Sequence, residues 1–312
     1  MGNHPFPGYA DGMTSAPERW LIAAWPGLGQ VATTAAIYLL SRMHMRQMAE
    51  FPGRGIFEVE NVDIHAGLVR PAQLPRSRLF LWSDPRGVRD LVVFLGEAQP
   101  ATGKLALCER LMTEGRTLGV SRFFTFSAIA TSMLPNTPPR AFGIATDVFS
   151  LAELRRREIA ILTEGSISGL NGIALAAAAE AGIPAMGLLG EIPAIAADLP
   201  CPYASAAVLK TFLAMAGLEL DLTELDEYGR SMQERLTSLY DEIMRTLQAP
   251  APPPQAPRER MLGDEDAERI ENLFRQAKFD RSKAFELKKE LARLGVFARY
   301  EDRFLDLFEP GA

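Results

Sequence analysis

REIAILTEGSISGLNGIALAAAAEAGIPAMGLLGE, Arg157 to Glu191, decides how the rest of the chain is read. Its first nine residues, built around the apolar Ile159–Leu162, predict a strand. The turn TEGSISGLNG, Thr163 to Gly172, follows with three glycines, two serines and an asparagine. An alanine-rich helix, SGLNGIALAAAAEAG, comes next and breaks at Gly182-Ile183-Pro184. The strand IPAMGLLGE then ends on Glu191. Neither strand alternates apolar with polar residues, as expected of strands covered on both faces.

Working outward, the same rhythm recurs. WLIAAW (Trp20–Trp25) is a short strand that turns at Pro26-Gly27 into the helix GLGQVATTAAIYLLSRM. Strand candidates at Arg46–Phe51, Phe57–Val62 and Arg78–Trp82 follow, with RPAQLPRSR (Arg70–Arg78) as a loop. DLVVFLG, the helix GKLALCERLMTEGRTLG and the strand VSRFFTFSAIA precede the decisive stretch, and the helix YASAAVLKTFLAMAGL follows it. Repeated β-α-β units imply an α/β fold with a mostly parallel sheet sandwiched by helices.

Asp221 to Leu247 reads as one long amphipathic helix. Leu225, Tyr228, Met232, Leu236, Leu239, Ile243 and Leu247 recur in steps of three and four. Such a stripe lies on the sheet or pairs with a second copy. APAPPPQAP (Ala249–Pro257) is a linker of polyproline type. Beyond it, residues 258–309 carry twelve basic and thirteen acidic side chains. Helices are expected there at Asp264–Lys278, Asp280–Leu294 and Ala298–Phe308, with Asp280 as a cap and Gly295 as a stop. Their apolar positions, Phe285, Leu305 and Phe308 among them, suit a small three-helix unit. The expected organisation is therefore a disordered arm over 1–18, an α/β domain over 19–248, a linker over 249–257 and a helical extension over 258–312.

The chain has 312 residues, 47% hydrophobic and 23% charged, with a formal net charge of -6. An acidic balance argues against a general nucleic-acid or anionic-membrane binder. The two cysteines, Cys108 and Cys201, lie far apart, and the three histidines lack metal-ligand spacing. No metal, no cofactor, no membrane and no nucleic acid are expected, and the compartment implied is the cytoplasm. The apolar stretch Ile173–Leu189 is interrupted by Glu180 and the Gly-Ile-Pro break, so neither half is long enough to span a bilayer.

Three glycine-bearing turns resemble nucleotide signatures. Gly27-Leu28-Gly29-Gln30-Val31-Ala32 fits G-x-G-x-x-A after a strand, with Glu50 near the place of a ribose-binding carboxylate. A nicotinamide-dependent oxidoreductase would use Gly27, Gly29 and Ala32; close strand–helix packing explains the same glycines. AQPATGKL (Ala98–Leu105) has phosphate-loop spacing, but Leu105 stands where the magnesium-binding hydroxyl belongs. In the third turn, Ser166, Ser168 or Asn171 would cap the helix while Gly165 and Gly169 permit close approach. Glu164 and Glu191 would end the strands on either side of that helix, where two carboxylates can do acid–base work. The candidate ligand-binding set is thus Gly27, Gly29, Glu164, Gly165, Ser166, Ser168, Gly169, Asn171 and Glu191, which suits a nucleoside-, nucleotide- or phosphate-binding enzyme. The segments offer no His, Lys or Cys nucleophile beside it, and capping plus packing accounts for the same residues.

WPGLGQVATTAAIYL, EGSISGLNGIALAAAAEAGIPAMGLLGEIP and PYASAAVLKTFLAMAGLELDLTEL, in this order, resemble the proteasome assembly chaperone family. That domain is found in the second eukaryotic chaperone and in bacterial and archaeal homologues. The resemblance covers Trp20 to Leu247, and the segment from Ile270 to Phe308 looks like an extension of some bacterial members. It implies a phosphorylase/hydrolase-like α/β domain, self-association as a trimer or higher homo-oligomer, and a non-catalytic chaperone-like or scaffold role. Eukaryotic and archaeal members bind proteasome α subunits, often through a hydrophobic–Tyr–any ending. The ending Glu309-Pro310-Gly311-Ala312 departs from that pattern.

Overall fold

Strand β1 (Glu18–Ala24) lies in the middle of the sheet, and its run Trp20–Ala24 is buried, as suits a strand shielded on both faces. A computed structural model describes residues 17–59, 62–248 and 262–308. The linker expected over 249–257 falls outside them. Of the arm expected over 1–18 only Pro17 and Glu18 are described, and Glu18 already belongs to β1.

The chain divides into two compact units, Met1–Leu247 and Gln248–Ala312. In the first, β2 (Arg46–Phe51), β5 (Ser77–Trp82), β6 (Arg89–Gly96), β7 (Val120–Thr131), β8 (Ala141–Ala145), β9 (Ala160–Ile161) and β10 (Ala185–Pro193) join β1 in an eight-stranded sheet of order β2-β5-β6-β1-β7-β10-β8-β9. The central four strands run parallel. At one edge β5 is antiparallel to β6 and β2 antiparallel to β5; at the other β8 is antiparallel to β10.

Helices α1 (Val31–Arg42) and α5 (Pro202–Ala216) cover one face, meeting Ile22, Val93, Phe124 and Leu188 through Ala35, Leu39, Leu209 and Phe212. Helices α2 (Lys104–Thr117) and α4 (Leu170–Glu180) cover the other, placing Leu107, Leu111, Ala174 and Ala178 on Leu21, Val92, Phe94 and Phe123. Successive residues of each central strand thus feed opposite layers. Small residues on α1, α4 and α5 let each helix backbone approach the sheet closely.

Three local expectations are corrected. Only Ala160–Ile161 of the REIAILTEG run is a strand. It lies at the sheet edge, parallel to β8 and therefore opposed to β10. The cause is an unforeseen pair between Thr131 and Ala160: β8, and α3 (Val148–Arg156), whose start is capped by the Asp147 carboxylate accepting from the Phe149 and Ser150 amides. Second, Phe57 makes only an isolated bridge with Arg54, and no strand includes Glu58 or Val59. Instead β3 (Asp63–His65) and β4 (Leu68–Arg70) form a two-stranded hairpin around Ala66-Gly67, both at positive φ as a two-residue turn requires.

Third, in the other unit α7 (Asp264–Phe279), α8 (Lys283–Leu294) and α9 (Phe297–Leu305) pack Ile270, Phe274, Leu287, Leu291 and Phe304 together. Phe285, Leu305 and Phe308 are exposed rather than in that core. Phe285 stands two positions from Leu287, about 200° around the helix, and so faces away. Asp280 accepts from the Ser282 amide in the turn before α8, and Gly295 at φ 68° stops it.

Between the sheet and Leu247, α6 (Thr223–Gln248) is the long helix expected. Leu225 is buried, whereas Tyr228, Leu239, Ile243 and Leu247 are exposed. No described helix is long and apolar enough to cross a membrane.

Candidate functional site

Open parallel sheets bind ligands beyond the carboxyl ends of their strands. Here that rim is formed by the turns after β1, β6, β7 and β10. The β1–α1 turn holds the G-x-G pair. Gly27 is fully extended at φ -168°, a conformation open to any residue. Gly29 has φ 61° and is buried; a Cβ there would sit 3.2 Å from the Cys201 Cβ and 3.3 Å from both its sulfur and the Ile192 Cδ1. The Gly29 amide donates to the Ala197 carbonyl at 2.8 Å, and its carbonyl accepts from the Cys201 amide at 2.8 Å. The turn is closed by the chain's own 194–201 segment, so its donor is not free for a pyrophosphate.

Glu50 falls on β2, with β5 and β6 between it and β1, and it pairs with Arg76 and Arg78. A dinucleotide fold needs that carboxylate on the strand beside β1. The oxidoreductase reading therefore loses both its loop and its ribose anchor. Lys104 opens α2 behind Gly103, but no hydroxyl follows it.

The start of α4 is held by a residue that the sequence did not single out. Gln99, in the β6–α2 turn, accepts from the Leu170 amide through Oε1 at 2.9 Å and donates through Nε2 to the Pro26 carbonyl at 2.6 Å. One carboxamide thereby ties the ends of β1 and β6 to the first turn of α4. Gly169 leaves the room, since a Cβ there would lie 2.6 Å from the Gln99 Oε1. Ser166 and Ser168, expected as caps, are exposed and make no capping bond to α4. The Gly172 and Ile173 amides both donate to the Gly169 carbonyl. The helix start is thus largely satisfied from within. Asn171 is 4% exposed beside Gly27, and its Oδ1 has no hydrogen-bond partner among the described residues.

The two expected carboxylates do not meet. Glu164 is exposed after the edge strand, beside Gly165 at φ 146°, in an open hollow with Ile144, Leu162 and Leu175. Glu191 is buried at the end of β10, where it accepts from Arg140 Nε at 2.9 Å, Arg140 Nη2 at 3.2 Å and Thr131 Oγ1 at 3.0 Å. The Arg140 hydrogen bonds hold its carboxyl below the usual glutamate range. It is an anion that ties the β7–β8 loop to β10, the opposite of a poised base.

Burial pushes the Cys201 thiol up to about 11 and the Cys108 thiol up to about 12, so neither is an activated nucleophile near neutral pH. No group of three potential metal ligands occurs among the described residues.

The rim does hold one apolar recess, of about 150 Å³, between the β7–β8 loop, the 194–201 segment and α6. Met133, Pro139, Pro200, Tyr203, Met232 and Leu236 form much of its wall. It exists because α6 crosses the start of α5 at Gly229, whose absent Cβ would lie 2.8 Å from the Tyr203 Cα, and because Gln233 Nε2 donates to the Pro135 and Thr137 carbonyls. Sequence reading missed the recess. Its traces were the α6 stripe and the prolines at 135, 139, 193, 200 and 202.

This fold and rim define a helix-covered α/β protein in which the Gly29 amide, the Leu170 amide and the Glu191 carboxylate are taken up by its own groups and an apolar recess opens beside α6. The chain belongs to the PAC2 family, whose model matches residues 21–240. It is similar to a PAC2 family protein from Streptomyces avermitilis, 23% identical with a TM-score of 0.62, over 74% of this chain and 100% of that one. It is similar in fold to Pyrococcus furiosus PbaB, an archaeal proteasome activator, 22% identical with a TM-score of 0.61 over 72% and 94% of the chains. A Mycobacterium tuberculosis proteasome-assembly chaperone homologue matches at 20% identity and a TM-score of 0.60, over 74% and 97%.

Proposed function

We propose that the chain is a non-catalytic, homo-oligomeric chaperone-like scaffold of the cytoplasm that works by holding protein surfaces, its own copies included. The observation that carries this reading is the sealed rim. The Gly29 amide, the Leu170 amide and the Glu191 carboxylate, the groups a ligand or substrate would need, are spent on Ala197, Gln99 and Arg140. The same unit also offers apolar surface: the recess, and the exposed Leu239, Ile243 and Leu247 along α6. Exposed apolar rows of this kind mark protein contacts. The names of similar folds, a proteasome activator and a proteasome-assembly chaperone homologue, support a protein partner of that type.

Two measurements test this. Sedimentation velocity of the full chain should give an assembly of three or more subunits; a monomer at all concentrations would refute self-association. A thermal-shift screen with ATP, NAD(P)H, nucleosides and phosphate at millimolar concentration should leave the melting temperature unmoved. A ligand present at 100 times its Kd would add about 2.7 kcal/mol of stability, so true binding would be plain.

A further inference from the structure

The described residues between Phe51 and Ser77 leave the sheet, and these two are paired with each other; Ser77 also faces Gly96, the last residue of β6. The excursion therefore rises from the same rim as the recess. It carries the β3–β4 hairpin, whose side chains join no hydrophobic core: Ile64 and Leu68 are each 72% exposed and Val69 67%, with Val59 and Val62 beside them also exposed. Ile64 and Val69 face each other across the pair, and Leu68 faces His65. A lone two-stranded hairpin is marginal in water, and one that shows aliphatic groups on both faces is more so.

The recess lies at the ends of β7 and β10, and Leu134, Leu199 and Leu239 around it are exposed. Its 150 Å³ suits one large aliphatic or benzene-sized group. Between β5, at the root of the hairpin, and β10 lie four strand spacings, about 19 Å. Within one molecule the hairpin stays in water and the recess stays open. Asp63, opposite Arg70 on the hairpin, and Arg235 on the recess wall each make no ion pair among the described residues, and the charges of Asp63 and Arg235 are complementary.

We propose that the β3–β4 hairpin of one copy docks its Leu68 end into the apolar recess of a second copy, head to tail, with Asp63 brought to Arg235. This rests on the self-association proposed above and names its surface. A protrusion at one edge of the rim and a socket at the other make a heterologous contact, which closes into a ring when the rotation permits.

The recess supplies its own reporter, because Cys201 is in its wall. In the full-length Leu68→Cys variant, oxidation with copper phenanthroline should give a ladder of disulfide-linked species between subunits, lost in Leu68→Cys/Cys201→Ser. Dimers that persist in the double variant would mean hairpin-to-hairpin pairing, and a disulfide formed within one chain would mean the hairpin closes on its own recess; either overturns the proposal. In parallel, Ile64→Asp/Leu68→Asp should weaken self-association on the order of 100-fold by sedimentation while tryptophan emission stays native. An assembly unchanged in that variant overturns this surface and leaves self-association standing. A wild-type chain that is monomeric throughout overturns both.

Discussion

Replacing Gln99 by Leu removes a side chain of little mass and a large share of the rim's order. The Leu170 amide, on a residue fully buried at the start of α4, would lose its acceptor, and the Pro26 carbonyl would lose its donor. A buried donor left without a partner costs about 1–3 kcal/mol, and the lost bond to Pro26 adds about 1 kcal/mol. We expect a destabilisation of about 3 kcal/mol. For a unit of this size that is a fall of roughly 6–12 °C in melting temperature. The assay is selective, since Trp20, Trp25 and Trp82 all lie in the α/β unit and the chain has no other tryptophan. Selectively excited tryptophan fluorescence against urea or temperature therefore reports that unit. Two controls sharpen the result. Ser166→Ala/Ser168→Ala should stay within about 0.5 kcal/mol, because those serines cap nothing. Gln99→Glu should fall between, keeping an acceptor whose charge suits a helix start but losing the donor to Pro26. A Gln99→Leu protein within about 1 kcal/mol of wild type, or a serine variant that costs as much, would refute the assignment of the cap.

The other predictions concern neighbouring parts of the rim. Gly29→Ala should cost about 2–3 kcal/mol in urea midpoint, from left-handed strain and contact with Cys201 and Ile192, while Gly27→Ala should cost under about 1 kcal/mol, its Cβ meeting only the Asn171 amide at 3.5 Å. Equal sensitivity of the two glycines would point back to a ligand loop. Glu191 has a folded-state pKa below its ordinary value of 4.5, so its contribution of about 1 kcal/mol is present above that pH and lost as pH falls through the folded value. Urea midpoints measured from pH 7 to pH 3 should drop less steeply for Glu191→Gln. Gly229→Ala should push α6 off Tyr203, cost about 1–3 kcal/mol, and speed maleimide labelling of Cys201 by opening the recess.

How much of this the sequence disclosed depended on where the information was local. Runs such as Leu91–Phe94 and Phe123–Phe126 announce buried parallel strands by composition alone, and α6 by its spacing. The β8–α3 pair escaped because AFGIA is short and follows a proline-rich loop; the Asp147 cap was its one clear signal. Its presence reverses the direction of β9 and separates Glu164 from Glu191, so a local slip became an error about the site. The same holds for the G-x-G turn. Its glycines were visible, but the groups that fill it, Ala197 and Cys201, are some 170 residues away. Gln99 caps a helix 71 positions on, and no window of sequence contains both partners. Motif spacing shows what a turn allows; which group takes up the offer is decided by tertiary structure.

The central position of β1 has a consequence for how the chain is made. Glu18–Ala24 is synthesised well before both of its partners, Arg89–Gly96 and Val120–Thr131. At about 5–20 residues per second, the ribosome needs roughly 3–13 s after finishing β1 before β6 begins to appear. Through that interval a strand with Trp20, Leu21 and Ile22, all buried in the finished fold, has no place in a sheet. The nascent protein therefore passes through a window in which this apolar segment has no partner strand, and a factor that shields emerging apolar chain would act on it there.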